Sequence, residues 1–103
     1  GLLGIVFHDI TVLAYNQYSQ PGYVPLYIDS NYVGTTGYTY SVREGNRQFY
    51  VESPIYEYWE GHYYVHTFQY YYYDSTYNYN NPMTLSIMGD KTVTAHYYTE
   101  MIW

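Results

Sequence analysis

The chain lacks cysteine altogether and carries very little positive charge. Without cysteine among its 103 residues it can form no disulfide framework, thiolate metal site or thiol nucleophile. Three Lys and Arg residues stand against nine Asp and Glu residues, which gives a net charge of -6. Nucleic-acid binding and polybasic attachment to anionic lipid both need clustered positive charge, so we expect neither. No apolar run approaches the roughly 20 residues of a membrane-spanning helix.

Ordinary core residues are also scarce. Leu, Ile, Val and Phe together contribute 22 residues, close to the level at which a chain cannot build a core. Tyrosine contributes 20, and tyrosine rings bury large apolar areas when their hydroxyls find a partner. Charged residues make up 12% of the chain, against about 25% in ordinary proteins. This composition predicts a folded, extracellular protein with tyrosine in its core.

The first residue is Gly1 rather than Met. It indicates a chain that begins at a processing site after removal of a secretory signal peptide; the alternative is a sequence that simply starts there. We therefore expect a secreted protein that resides outside the cell or at its surface.

Short runs of alternating polarity, bounded by Gly, Pro, Asn and Asp, predict β-strands throughout. The clearest is 91–99, with Val93, Ala95 and Tyr97 on one face. In 37–42 the same pattern predicts that Tyr38, Tyr40 and Val42 point inward, while 74–82 has the composition of a loop. The prediction is a single small all-β, immunoglobulin-like sandwich of seven or eight antiparallel strands. The other predicted strands are 5–15, 23–28, 32–33, 47–53, 62–73 and 83–88.

An apolar arm precedes this sandwich. We assign residues 1–8 to the arm and 9–103 to the sandwich domain. Chain termini are normally polar and frayed, so an apolar one needs cover, either as the first strand of its own sandwich or as a strand donated to a neighbouring subunit. Nine extended residues reach about 30 Å, and a head-to-tail contact of this kind grows a fibre. The candidate donor residues are Leu2, Leu3, Ile5, Val6 and Phe7.

Residues 21–51 carry phrases of a known family. The strand phrase at 25–29 (PLYID), the Gly-x-Thr phrase at 33–36 (VGTT) and the Glu44-Gly45 turn resemble those of a PEGA domain. The resemblance implies a small extracytoplasmic β-sandwich on a bacterial or archaeal surface protein or filament. It implies no catalytic residues.

The inventory for catalysis or metal binding is thin. His62 and His66 lie four residues apart, which on a strand is about 13 Å and too far to share a metal. Glu57 and Glu60 flank Trp59 like the carboxylate pair of a glycosidase, but such a pair in one short segment is more often a solvated turn. We predict no enzyme, no catalytic residue, no metal and no cofactor. Calcium at the turn acids is the weaker interpretation, because turn Asp residues usually bond their own backbone. These acids are Asp29, Asp74, Asp90 and the acids of 52–60, namely Glu52, Glu57 and Glu60.

An aromatic stretch between 56 and 79 allows two functions. Aromatic side chains are enriched at subunit interfaces, which favours a structural subunit of an extracellular filament or surface layer, with another copy of the chain as its partner. Exposed rings also stack on sugars, which favours a carbohydrate-binding or adhesion module with cell-surface glycans as partners. The candidate platform residues are Tyr56, Tyr58, Trp59, Tyr63, Tyr70 and Tyr72.

Overall fold

A computed structural model describes residues 4–103 and contains ten strands. Alternation of apolar and polar side chains explains most of them, since β1, β9 and β10 bury every second residue. The strands are β1 (Phe7–Asn16), β2 (Pro25–Ile28), β3 (Asn31–Thr35), β4 (Tyr38–Arg43), β5 (Gly45–Val51), β6 (Ile55–Trp59), β7 (His62–Tyr73), β8 (Thr76–Asn78), β9 (Met83–Ile87) and β10 (Lys91–Met101).

The strands form two sheets, so the predicted all-β sandwich is confirmed. The larger sheet has six strands in the order β4-β1-β10-β7-β6, with β8 paired to the far end of β7. The smaller sheet has the order β3-β2-β5-β9. One pairing differs from the antiparallel prediction, because β1 runs parallel to β10 with Ile10 opposite Lys91. A parallel pair needs a long crossover, which the whole intervening chain supplies here.

Two strands were not predicted. β6 has large side chains on both faces, so its sequence shows no alternation of polarity. β8 lies inside the predicted loop 74–82, where Asp74 and Ser75 take positive φ angles of 48° and 57° and turn the chain back onto β7. Both strands form by backbone pairing with β7. Because their pairing partner fixes them, the alternation of polarity within their own sequences does not reveal them.

The core lies between the two sheets and consists mostly of aliphatic residues, with two tyrosines among them. Tyr71 is fully buried and Tyr97 is 5% exposed, so two tyrosine rings fill space that Leu or Phe would fill elsewhere. The other buried apolar residues are Ile10, Val12, Ala14, Leu26, Ile28, Val42, Phe49, Val51, Met83, Leu85, Ile87, Val93 and Ala95.

Both buried tyrosines have partners for their hydroxyls. The Tyr71 hydroxyl donates to Asn81 Oδ1 at 2.6 Å and accepts the backbone N–H of Val51 at 3.2 Å. The Tyr97 hydroxyl donates to the carbonyl of Glu52 at 2.6 Å. Burial raises the pKa of both phenols well above the usual value. These bonds meet the condition on which a tyrosine core depends.

The prediction for Tyr38 was wrong. Its side chain is 58% exposed, because it begins the edge strand β4 and lies at the rim beside the ring of Tyr23. Tyr40 does turn inward, and its hydroxyl donates to the carbonyl of Thr35. A Cβ at Gly34 would lie 2.5 Å from that hydroxyl, so the Gly-x-Thr phrase makes room for the Tyr40 ring.

We expect Tyr71→Phe to lower the free energy of unfolding by about 1–3 kcal/mol, because it removes a buried hydroxyl from an otherwise satisfied network. Urea unfolding monitored by circular dichroism measures the effect, and the dependence of the unfolding free energy on urea concentration (the m-value) should not change. Tyr77→Phe, at an exposed position of β8, is the matched control and should shift stability by less than about 0.5 kcal/mol. Equal stability of the two variants would contradict a structural role for the Tyr71 hydroxyl.

Candidate functional site

The larger sheet extends well past the smaller one. β7 and β10 contain 12 and 11 residues, whereas the longest strand of the smaller sheet contains seven. The molecule accordingly measures 55 × 25 × 18 Å. The projecting part consists of residues 55–66 and 98–103, and we call it the overhang. Its inner face lacks the cover that the smaller sheet gives to the rest of the larger sheet, and its outer face is open like the outer face of that whole sheet.

Uncovered aromatic side chains occupy both faces of the overhang. Strand alternation places Tyr58 and Tyr63 on the outer face, where their rings lie 4.8 Å apart, and places Trp59 on the opposite face. The ring of Trp103 lies 5.9 Å from that of Tyr63. Clusters of exposed large apolar side chains often mark interaction sites. Eight large side chains are 44–79% exposed here: Tyr56, Tyr58, Trp59, Tyr63, Tyr98, Met101, Ile102 and Trp103.

A second aromatic group lies farther along the outer face of the larger sheet. Tyr70 stacks on His96 with the ring centres 4.6 Å apart, and its ring also contacts those of Tyr77 and Tyr79. Tyr72 lies 4.9 Å from Tyr77. Burial lowers the pKa of His96. We call Tyr70, Tyr72, Tyr77, Tyr79 and His96 the tyrosine cluster.

The structure therefore divides the predicted aromatic platform. Four of its residues lie on the overhang, on two different faces, and Tyr70 and Tyr72 belong to the tyrosine cluster. Sequence analysis missed Tyr77, Tyr79 and Trp103, which are 56%, 70% and 79% exposed. Tyr77 and Tyr79 belong to the segment 74–82, which was predicted to be a loop. The alternation Tyr77-Asn78-Tyr79 is the pattern that could have indicated a short strand with both tyrosines on one face.

A cleft of about 500 Å³ opens where the overhang leaves the sandwich. Apolar side chains including Ala14, Val24 and Ile55 line it together with polar ones including Glu57 and His66. Its lining is thus mixed, with a carboxylate and an imidazole beside an apolar floor.

A chain of hydrogen bonds braces the base of the overhang. Glu57 Oε1 lies 2.9 Å from His66 Nε2, and His66 Nδ1 lies 2.7 Å from Thr99 Oγ1. Asn16 Nδ2 donates to the same Thr99 oxygen at 3.3 Å. Gln17 bonds both backbone groups of Thr99, at 2.7 and 2.8 Å. These hydrogen bonds join β6, β7 and β10 to the end of β1 and the turn that follows it. They therefore hold the base of the overhang against the sandwich.

The side chains of the three turn Asp residues considered in the sequence bond residues that are distant in the chain, not the backbone of their own turns. Asp29 accepts the backbone N–H of Gln48 at 2.9 Å and pairs with Arg47 at 3.0 Å. Asp74 pairs with Lys91 at 2.6 Å. Within residues 4–103, no three His, Asp or Glu side chains are grouped as a metal ion would require.

The arm joins the sandwich at the first residue of β1, whereas the cleft and the base of the overhang lie at the last residue of that strand. Of the candidate donor residues, Leu2 and Leu3 lie outside the described residues, while Ile5 and Phe7 are 46% and 56% exposed. The carbonyl of Val6 accepts the N–H of Glu44 at 2.8 Å. β1 takes in Phe7 and His8, which the sequence analysis assigned to the arm, and His8 pairs with Glu44 at 2.8 Å.

Comparison with known proteins identifies a family for this chain. The PEGA domain matches residues 18–78, more than half of the sequence. No curated protein and no solved structure matches. In the part of the chain that the structure describes, no helix is long and apolar enough to cross a membrane. PEGA domains are typically extracellular or periplasmic. The resemblance seen at 25–36 and 44–45 falls inside the matched range, and the chain belongs to the PEGA domain family.

Proposed function

We propose that this chain is a structural subunit of an extracellular filament or surface layer. Eleven of its 20 tyrosines are exposed, and both faces of the overhang carry uncovered apolar side chains. That distribution is the observation that supports assembly most directly, because packing against another copy would remove this surface from water.

The chemistry of the overhang suits a subunit interface. Interface cores are depleted in charge and enriched in Tyr, Trp and Met. The overhang carries three carboxylates, and that of Glu57 already bonds His66. Identical subunits bring like charges together, so an interface with only three carboxylates among its aromatic side chains suits self-association.

The apolar arm supplies the directional part of the assembly. Ile5 and Phe7 are exposed at one end of the molecule. A donated strand would bury such residues and pair its backbone with a neighbouring sheet. Because donor and acceptor are different surfaces, the contact repeats without closing and yields a fibre.

The proposal gives the protein no catalytic activity. Its carboxylate–imidazole–hydroxyl chain of Glu57, His66 and Thr99 is bonded further to Asn16. In this proposal these groups hold the overhang in position.

Removing residues 1–5 should abolish assembly and leave a folded domain. The cut leaves the bond between Val6 and Glu44 intact, so far-ultraviolet circular dichroism and the urea midpoint should match those of the full chain. Negative-stain microscopy and sedimentation should show fibres for the full chain and monomers for the truncated one. A matched variant with Leu2, Leu3 and Ile5 replaced by Ser keeps the length and should behave like the truncation. Fibres from either variant would contradict strand donation.

A carbohydrate-binding or adhesion module is the second candidate. The exposed rings of Trp59 and Trp103 and the mixed lining of the cleft favour it, since ligand sites combine aromatic walls with a few polar groups.

A glycan array with the full chain separates the two functions. For a sugar-binding module, we expect Trp59→Ala to lose array binding while the free energy of unfolding changes by less than about 0.5 kcal/mol, because the side chain is 58% exposed. Thr84→Ala, at an exposed position of β9, should retain binding. Fibre formation together with no binding to any glycan on the array would contradict the second candidate.

A further inference from the structure

We infer that the acceptor for the arm is the free edge of β6, with the cleft beside it, on a second copy of the chain. The inference rests on the proposed filament function and adds the place where the arm docks. Three observations support it: the positions of arm and cleft, the state of the β6 edge, and the side chains that face the cleft.

The arm and the cleft lie at opposite ends of β1. Phe7 begins the strand and Asn16, which lines the cleft, ends it. Nine residue steps of a strand span about 30 Å, whereas the six residues before Phe7 reach about 20 Å when extended. The arm therefore cannot fill the cleft of its own chain, and docking into the next copy produces a head-to-tail series.

The β6 edge is open. Among the described strands β6 pairs with β7 alone, so one side of it presents backbone N–H and C=O groups to a further strand. Proteins usually protect such edges with Lys or Pro, and Ile55–Trp59 contains neither. Its one charged side chain, Glu57, is bonded to His66.

Three other sheet edges, those of β9, β4 and β3, fit the arm less well. The inward side chains of β9 are 0–5% exposed, so that face is already closed. β4 pairs with β1 beside the arm of its own chain. β3 contains Gly34, which lies against the Tyr40 ring. On β6, by contrast, Trp59 lies on the same face as the cleft-lining Ile55 and is 58% exposed.

The cleft face matches an apolar strand. Alternation places Ile55, Trp59 and Met101 on the same face as His66 and Thr99, which line the cleft. Ile55 is half-buried, and Trp59 and Met101 are each 58% exposed. Residues 1–7 carry no charged side chain. An extended arm added to β6 would send Leu3 and Ile5 to one side, and burying them against this face would remove apolar surface of both copies from water.

Engineered cysteines test the assignment, because the chain has none of its own. Ile5→Cys is combined in one chain with Ile55→Cys, Glu57→Cys or Trp59→Cys, assembled and then oxidised. A disulfide needs Cα atoms within about 7 Å, so a bond between opposite ends of the molecule must join two copies. We expect at least one of the three combinations to give a covalent ladder beyond the dimer on a non-reducing gel. Ile5→Cys alone should stop at the dimer.

Matched controls place the second cysteine on rival edges: Thr84→Cys on β9 and Tyr32→Cys on β3, both exposed. Each should give at least tenfold less ladder than the best β6 combination. One outcome would overturn the β6 assignment without contradicting the filament proposal. In that outcome the fibres are intact, Thr84→Cys or Tyr32→Cys gives a covalent ladder, and none of the three β6 combinations does. Monomers from the unmodified chain, with no ladder in any variant, would overturn the filament proposal and this inference together.

Discussion

Two phenol hydroxyls that reach from one sheet to the other are the interaction on which this sandwich depends. Tyr71 on β7 bonds Val51 on β5, and Tyr97 on β10 bonds the carbonyl of Glu52 just after β5. With few aliphatic residues available, the core needs the volume of these rings. A ring of that kind can be buried only if its hydroxyl is paired, because an unpaired buried polar group costs about 1–3 kcal/mol. Asn81 completes the pairing by bonding both Tyr71 and the carbonyl of Val51.

The same residue type serves the surface for the same reason. A tyrosine ring is apolar along its body and polar at its tip, so it tolerates water better than Leu or Phe and still gains free energy when a partner covers it. The overhang and the tyrosine cluster leave most of their tyrosine rings exposed. Such rings tolerate water in a monomer and, in the proposed assembly, would pack against another copy.

Strand length connects the fold to the proposed assembly. β7 and β10 run beyond the smaller sheet, and this difference in length creates the overhang and the cleft at its base, while the edge of β6 is free because β6 is the last strand of the larger sheet. The family match at 18–78 includes β6 and β7 but ends before β10. Closure of the core nevertheless needs β1, β9 and β10, which provide Ile10, Ile87, Val93 and other buried residues. The matched range thus contains the β6 edge where we place the arm, but it lacks three of the strands that close the core.

By itself, the sequence determined the all-β class, the alternating faces of β1, β9 and β10, the turn phrases around Gly34 and Gly45, and the apolar character of the arm. Each of these follows from residues close together in the chain. Tertiary structure alone decided the parallel pairing of β1 with β10, the existence of β6 and β8, and which tyrosines are covered. Alternation gives Tyr38 and Tyr40 the same face, yet one is exposed and the other turns inward. The physical reason is that strand geometry fixes the direction of a side chain, whereas its burial depends on whether a second layer, built from distant residues, extends over that position.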